Sequence, residues 1–268
     1  RRFRPQVVAG FGGYAAFAPM LAARLAGVPT VLHEQNAIAG MSNRILGRLA
    51  RRICLSLPGT EGFDASRTVL TGNPVRAAVV ALAGRQHDFS GKRLLVMGGS
   101  LGAHALNVHV CRHLDALRAA GIEVRHQTGV RDEAVTREAY AAAGYDPACV
   151  SAFIDDMASA YAWADLVLCR AGATTVAELC AAGLPSVLVP FPYAVHDHQT
   201  RNAQALVAEG AALMLPEARM ESDGLMAQVT DLLQDTGRLR TMAAAASGCA
   251  RVRAAELVAA ELETVCAR

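Results

Sequence analysis

Residues 94–102 read Leu94-Leu95-Val96-Met97-Gly98-Gly99-Ser100-Leu101-Gly102, four apolar residues running into a glycine-rich turn that opens a helical stretch. An apolar run this short, bounded by glycines, fits a strand buried on both faces, and a strand that turns directly into a helix is the first half of a βα unit. The glycines let the main chain turn tightly and approach a ligand. The unpaired N–H groups of a helix start favour an anion, for which phosphate is the natural guest. Ser100 would add a hydroxyl donor. The same turn also reads, without any ligand, as a connection N-capped by Ser100.

The pattern repeats in both directions. Upstream, strands are expected near 6–9, 30–33, 52–56 and 68–70, with helices near 14–26 and 42–50, which makes half a Rossmann domain. After a polar stretch at 83–92 come the 94–97 strand, a helix to about Ala119, a strand at 123–126 and a helix at 132–143. Strands at 149–153, 166–169, 186–189 and 212–215, with helices between, complete a second, doubly wound domain. The remaining stretch reads as alanine-rich helix broken near Gly237 and Gly248.

Composition agrees with a large α/β core and excludes a disordered chain: 53% of residues are hydrophobic and 19% charged. The 26 basic and 24 acidic residues nearly cancel, and Lys92 is the single lysine, so no basic groove for nucleic acid is expected. Seven scattered cysteines without a CxxC pair suggest neither a disulfide framework nor a zinc site and fit a reducing cytoplasm. The uncharged run 7–23 is broken by glycines and Pro19 and is short for a bilayer helix, so neither a span nor a signal peptide is expected. The sequence opens on Arg1 close before a strand, which reads as the middle of a larger fold.

A second strand-to-helix turn, Arg170-Ala171-Gly172-Ala173-Thr174-Thr175, should open on the same sheet edge as the first, and two anion-friendly turns on one edge suggest a nucleotide diphosphate. Glu178 lies one to two helical turns in, where its carboxylate would accept from both ribose hydroxyls; Thr175-x-x-Glu178 is equally a capping box. Phe191 to Tyr193, His196 to Gln199 and Asn202 gather hydrogen-bonding groups suited to a sugar, and His196, Asp197 and His198 also have the chemistry of metal ligands, though no third His or Cys lies nearby. His109 and His113 are spaced i,i+4 but lack the HExxH glutamate, so a solvent-facing pair is expected. In the front part, Gly10 to Ala15 resembles G-x-G-x-x-A, with Glu34 placed as in a dinucleotide fingerprint, which keeps a nicotinamide-dependent oxidoreductase open. Gly72-Asn73-Pro74-Val75-Arg76 closes the front part, with Arg76 free to reach an anion across a cleft.

Taken in order, these motifs resemble the MurG family of peptidoglycan glycosyltransferases: GGYAAFAP (12–19), HEQNAIAGMSN (33–43), GNPVR (72–76), GGSLGAHALN (98–107), FIDDM (153–157), RAGATTVAELCAAGLPSVLVPFP (170–192) and HQTRNA (198–203). The resemblance implies an α/β, GT-B fold of two Rossmann-like domains with a cleft between them, the first incomplete. Its divisions fall at 1–82 (acceptor side), 83–235 (donor side) and 236–268 (helices packing back toward the first domain). It implies an inverting transfer of N-acetylglucosamine from UDP-N-acetylglucosamine to the 4-hydroxyl of undecaprenyl-pyrophosphoryl-muramyl-pentapeptide. The setting it implies is peripheral, on the inner face of the bacterial cytoplasmic membrane, with no cofactor and no metal. By motif, Ser100 with the loop glycines Gly98, Gly99 and Gly102 would meet the diphosphate and Arg76 the nucleotide. The main chain at Ile154 would read the uracil and Glu178 the ribose. Ala173, Thr174, His198 and Gln199 would hold the sugar, faced by Asn36. The family's glycine-rich loop ending in histidine, which carries its proposed general base, would precede Arg1, so no catalytic residue is assigned. Ala16, Leu101 and His104 depart from the family's usual Ser, Gln and Arg. A donor-binding fragment without turnover and a UDP-sugar epimerase are the remaining rivals.

Overall fold

The computed structural model describes residues 4–99 and 102–267. The front half strings β1 (Val8–Gly10), α1 (Gly13–Leu25), β2 (Thr30–Glu34), α2 (Met41–Leu49), β3 (Arg52–Leu55), β4 (Thr68–Leu70) and α3 (Ala77–Val80) into a parallel sheet of order β1-β2-β3-β4. The period-2 geometry of its strands shares their side chains between two faces. Leu32 and Ile53 pack with Met20 and Leu46 under α1 and α2, whereas Val31 and Cys54 point the other way.

The second half carries β5 (Arg93–Met97), α4 (His104–Cys111), α5 (Leu114–Ala119), β6 (Glu123–Gln127), α6 (Glu133–Ala142), β7 (Val150–Ser151), α7 (Met157–Trp163) and β8 (Leu166–Cys169). It continues through α8 (Ala173–Ala182), β9 (Ser186–Leu188), α9 (His198–Ala208), β10 (Ala212–Met214), α10 (Leu225–Gln234) and α11 (Thr236–Cys249). Its parallel sheet has the order β10-β9-β8-β5-β6-β7. Leu94 and Val96 serve one core and Leu95 and Met97 the other, which is why this strand has no polar face. The chain leaves β5 toward β6 on one side and returns to β8 on the other, so the strand order reverses between β5 and β8, and ligands of doubly wound sheets bind in the crevice at such a reversal.

Three expectations need correction. The helix expected to run to Ala119 is two helices, α4 and α5, separated at Arg112 and His113. The strand expected at 149–153 is reduced to the two residues of β7. Gly237 and Gly248 do not break helices but lie inside α11, and the breaks fall at Asp235, whose carboxylate caps α11, and around 250–253. The final helix, α12 (Ala254–Cys266), leaves the second half and lays Val258 and Val265 on Val31 and Cys54 of the front sheet, while α11 stays packed on α8 and α10. Arg52 Nε donates to Glu261 Oε2 at 2.8 Å, fixing α12 to β3. No helix among the described residues is long and apolar enough to cross a membrane.

Candidate active site at the strand-order reversal

The turn after β5 is shaped by close main-chain packing. A Cβ on Gly98 would sit 2.5 Å from the Ala103 nitrogen, and one on Gly102 (φ +75°) 2.5 Å from the Thr128 carbonyl oxygen, so neither position has room for a side chain. The main-chain amide of Gly98 donates to the Gln127 carbonyl (3.0 Å), and that of Gly99 to Gln127 Oε1 (3.1 Å). Gln127 Nε2 in turn donates to the carbonyls of Gly99 (3.0 Å) and Ala152 (2.8 Å). Two amides expected to face a phosphate are therefore turned toward β6. What the turn offers an anion is the first turn of α4, whose leading N–H groups have no acceptor within the helix. Ala103 occupies the N-cap position of α4; Ser100, the cap expected from the sequence, lies outside the described residues.

Beside it, the turn after β8 places Gly172 at the N-cap of α8 without a side-chain cap. Thr175 is thus inside the helix, and the capping-box reading of Glu178 fails. Instead the buried Glu178 carboxylate, 4% exposed, accepts from the Tyr161 hydroxyl at 2.9 Å and, through its other oxygen, from Arg76 Nε at 3.3 Å. Burial and the Glu178 charge push the Tyr161 phenol well above its ordinary range, so it stays a donor. Arg76, the N-cap of α3, comes from the connection between the halves and keeps its side chain 57% exposed.

A cavity of about 350 Å³ opens here, and of the expected residues Arg76, Gly99, Ile154, Thr174 and Glu178 line it. Gln127 and Tyr161, which sequence reasoning missed, line it too, as does Arg170, which the sequence placed in the second turn without a role of its own. For Gln127 the signal was available: a polar residue ends the β6 strand opposite Met97, at the ligand edge. Arg170 pairs with Glu217 and donates to the carbonyls of Val189 (3.1 Å) and Pro190 (3.2 Å).

Of the expected sugar-binding residues Thr174 lines this cavity, and Ala173, His198, Gln199 and Asn36 lie outside it. Ala173 lines a neighbouring cavity between the halves. Gln199 Oε1 accepts from the Phe191 amide at 2.9 Å, and His198 Nδ1 bonds the Val195 carbonyl at 2.7 Å, fixing the loop that leads into α9. Asn202, fully buried, ties the halves together: its Nδ2 donates to Asn36 Oδ1 (3.1 Å) and the Ala171 carbonyl (3.2 Å), and its Oδ1 accepts from the Ala37 amide (2.9 Å). Asn36 accordingly faces Asn202.

The front-half dinucleotide fingerprint is overturned. Glu34 is 1% exposed and accepts from the Asn36 amide, Asn36 Nδ2, the Gly40 amide and Asn43 Nδ2 at 2.7–3.2 Å, so no acceptor position is left for a ribose. Gly10 is explained by packing, because a Cβ there would lie 1.8 Å from Met20 Sδ.

Comparison with known proteins agrees with this geometry. Residues 93–258 match the glycosyltransferase family 28 C-terminal domain and residues 1–55 the glycosyltransferase family 28 N-terminal domain. The chain belongs to glycosyltransferase family 28. One relative in this family, the UDP-N-acetylglucosamine–N-acetylmuramyl-(pentapeptide) pyrophosphoryl-undecaprenol N-acetylglucosamine transferase of Nitratidesulfovibrio vulgaris strain Hildenborough, is 54% identical over 96% of this chain and 72% of its own length. The protein of the same name from Lawsonia intracellularis is 49% identical over 96% of this chain and 72% of its own length. The crystal structure of Acinetobacter baumannii MurG superposes with a TM-score of 0.77 at 39% identity, covering 97% of this chain and 74% of that one. The α/β, GT-B architecture follows from these relations and from the two parallel sheets. Membership of a glycosyltransferase family removes the oxidoreductase alternative.

Proposed function

We propose that the chain transfers N-acetylglucosamine from UDP-N-acetylglucosamine to undecaprenyl-pyrophosphoryl-muramyl-pentapeptide, the transfer for which its relatives are named, and that the muramyl sugar's 4-hydroxyl is the accepting group. The observation that carries this reading is the Glu178 carboxylate, buried at the strand-order reversal with, among the described residues, only Tyr161 and Arg76 as partners. An ionised carboxylate has about four acceptor positions, and those left over suit the 2′ and 3′ hydroxyls of a ribose. With the ribose there, the uracil edge meets the main chain near Ile154, and the diphosphate lies between the first turns of α4 and α8 in reach of Arg76. The sugar then points toward Thr174 and the α9 loop bearing His198 and Gln199. The acceptor hydroxyl attacks the anomeric carbon from the face opposite the diphosphate, the C–O bond to UDP breaks, and configuration inverts. Charge growing on the departing diphosphate is met by fixed helix-end dipoles and the Arg76 guanidinium, which need little reorganisation during the step.

The reaction's place is the inner face of the bacterial cytoplasmic membrane, bound peripherally. Supporting this, Tyr14, Leu25, Ile45 and Leu49 stand exposed on α1 and α2 beside the exposed Arg24, Arg44 and Arg48, an arrangement suited to an anionic lipid surface.

Calorimetric titration with UDP-N-acetylglucosamine is expected to show one saturable site, and NAD(P)H none. Labelled N-acetylglucosamine should then appear on the lipid-linked acceptor. Absence of UDP-sugar binding overturns the reading, and binding without transfer reduces it to a donor-binding module. A UDP-sugar isomer formed without acceptor would turn it into an epimerase.

A further inference from the structure

We propose that His109, His113 and Glu221 form a binding site for a divalent transition-metal ion of the zinc and cobalt class, on the flank of the second half. The sequence gives only an i,i+4 histidine pair; the fold changes its meaning by burying one member and bringing in a carboxylate from more than a hundred residues away. One nitrogen of each imidazole and one carboxylate oxygen lie within 4.8 Å of one another. The expectation of a solvent-facing pair is therefore wrong, since His109 is only 5% exposed.

The helix break between α4 and α5 prepares the site. The His113 amide bonds the Val110 carbonyl at 3.0 Å, which leaves the His109 carbonyl to His113 Nδ1 at 2.9 Å. A ring nitrogen that donates to a carbonyl fixes the tautomer, and the other nitrogen, Nε2, then carries the lone pair a metal needs. The two rings are held with centroids 4.7 Å apart and tilted by 40°. Glu221 Oε2 stands 3.5 Å from His109 Nδ1, longer than a formed charge-assisted hydrogen bond, and His109 Nε2 is sealed from solvent with no partner among the described residues. The Nδ1 of this buried imidazole, with only a long contact to Glu221, is the nitrogen open to an ion.

A tetrahedral ion with these donors needs ligand atoms about 3.3 Å apart, close to the 3.5 Å between His109 Nδ1 and Glu221 Oε2, and the Glu221 side chain, 75% exposed, is free to adjust. Two imidazoles and a carboxylate suit zinc, cobalt or nickel better than magnesium or calcium. Open clefts of about 740 and 470 Å³ border all three residues, giving water access to the remaining coordination positions. An ion here would clamp the α4–α5 joint to the turn at 217–221. That turn bears Glu217, the partner of the cavity residue Arg170, and α4 begins at the glycine turn, so occupancy would restrain both connections framing the donor cavity.

The test titrates the whole, untagged chain with Co²⁺, followed by calorimetry and visible absorption. One equivalent should bind with ligand-field bands of nitrogen and oxygen ligation and without a thiolate charge-transfer band. His113→Ala and Glu221→Ala should each weaken binding about tenfold or more. Excess Mg²⁺ should not compete. Both substitutions alter solvent-accessible side chains, so unfolding in the presence of a chelator should match the parent, while Co²⁺ should raise the Tm of the parent and not of the double variant. Equal affinity in parent and double variant, a thiolate band, or no binding at millimolar Co²⁺ overturns the proposal, whatever the outcome of the sugar-transfer assay.

Discussion

Each half of the molecule buries a glutamate near the ligand edge of its sheet, and the two have opposite fates. Glu34 closes β2 and has every acceptor position filled by Asn36, Gly40 and Asn43. Glu178, on α8, holds among the described residues only the Tyr161 hydroxyl and the Arg76 guanidinium, and it lines a cavity. The difference teaches how to tell a carboxylate that organises a loop from one that awaits a ligand: burial is the same, and the count of donors decides.

The comparison can be broken by substitution. Glu34→Ala should cost the most, about 3 kcal/mol of folding stability, because it removes the acceptor of the part-buried amides of Asn36 and Gly40 and of the buried Asn43 side chain together. Urea unfolding checks this, and an unchanged midpoint would deny Glu34 its structural role. Glu178→Ala should instead act on the ligand, weakening UDP-N-acetylglucosamine binding by about 1–3 kcal/mol in a calorimetric titration. An unaltered dissociation constant with the fold intact would make the two glutamates equivalent.

A third buried group sharpens the contrast. His126, under the glycine turn, is satisfied on both sides, with Nδ1 3.0 Å from the Tyr140 hydroxyl and Nε2 3.0 Å from Asn107 Oδ1. Burial pushes it from its ordinary 6.5 down to about 3. Between these values the unfolded chain takes up a proton that the folded chain refuses, so stability is full above about pH 6.5 and falls as pH drops toward 3, by up to about 1.4 kcal/mol per pH unit. Unfolding midpoints between pH 7 and 4.5 measure the slope, which His126→Gln should flatten. Arg76→Ala should have the smallest effect on folding, below about 1 kcal/mol, because its guanidinium is largely solvated. Its effect belongs in a salt-sensitive loss of donor affinity, and a large fall in Tm would show that Arg76 holds the halves together instead.

Much of the fold was legible because its strands are apolar on both faces and its turns are glycine-rich, features that need no partner to be recognised. Leu94 to Met97 and Leu166 to Cys169 could hardly be anything else. The helix break at Arg112 and His113 was not legible, since no proline or glycine marks it. Gly237 and Gly248 misled in the other direction, because packing of Leu239, Met242 and Ala246 outweighs the helix penalty of glycine, about 1 kcal/mol each. At the site, Glu178 and Arg76 were found through their motifs, yet what separates Glu178 from Glu34 is a set of donors more distant in sequence, Tyr161 and Arg76, that only folding assembles. Gln127 escaped notice because its role is to hold the glycine turn from the neighbouring strand.

The return of α12 to the front sheet has a bearing on biosynthesis. Val31 and Cys54 leave the ribosome long before the surface that shields them, carried by Val258 and Val265. Until then one flank of the front sheet stays bare while the second half can already close its own two cores, a state in which nascent chains recruit chaperones. Maturation of the front half therefore waits on a stretch that, in primary structure, follows the whole of the second half.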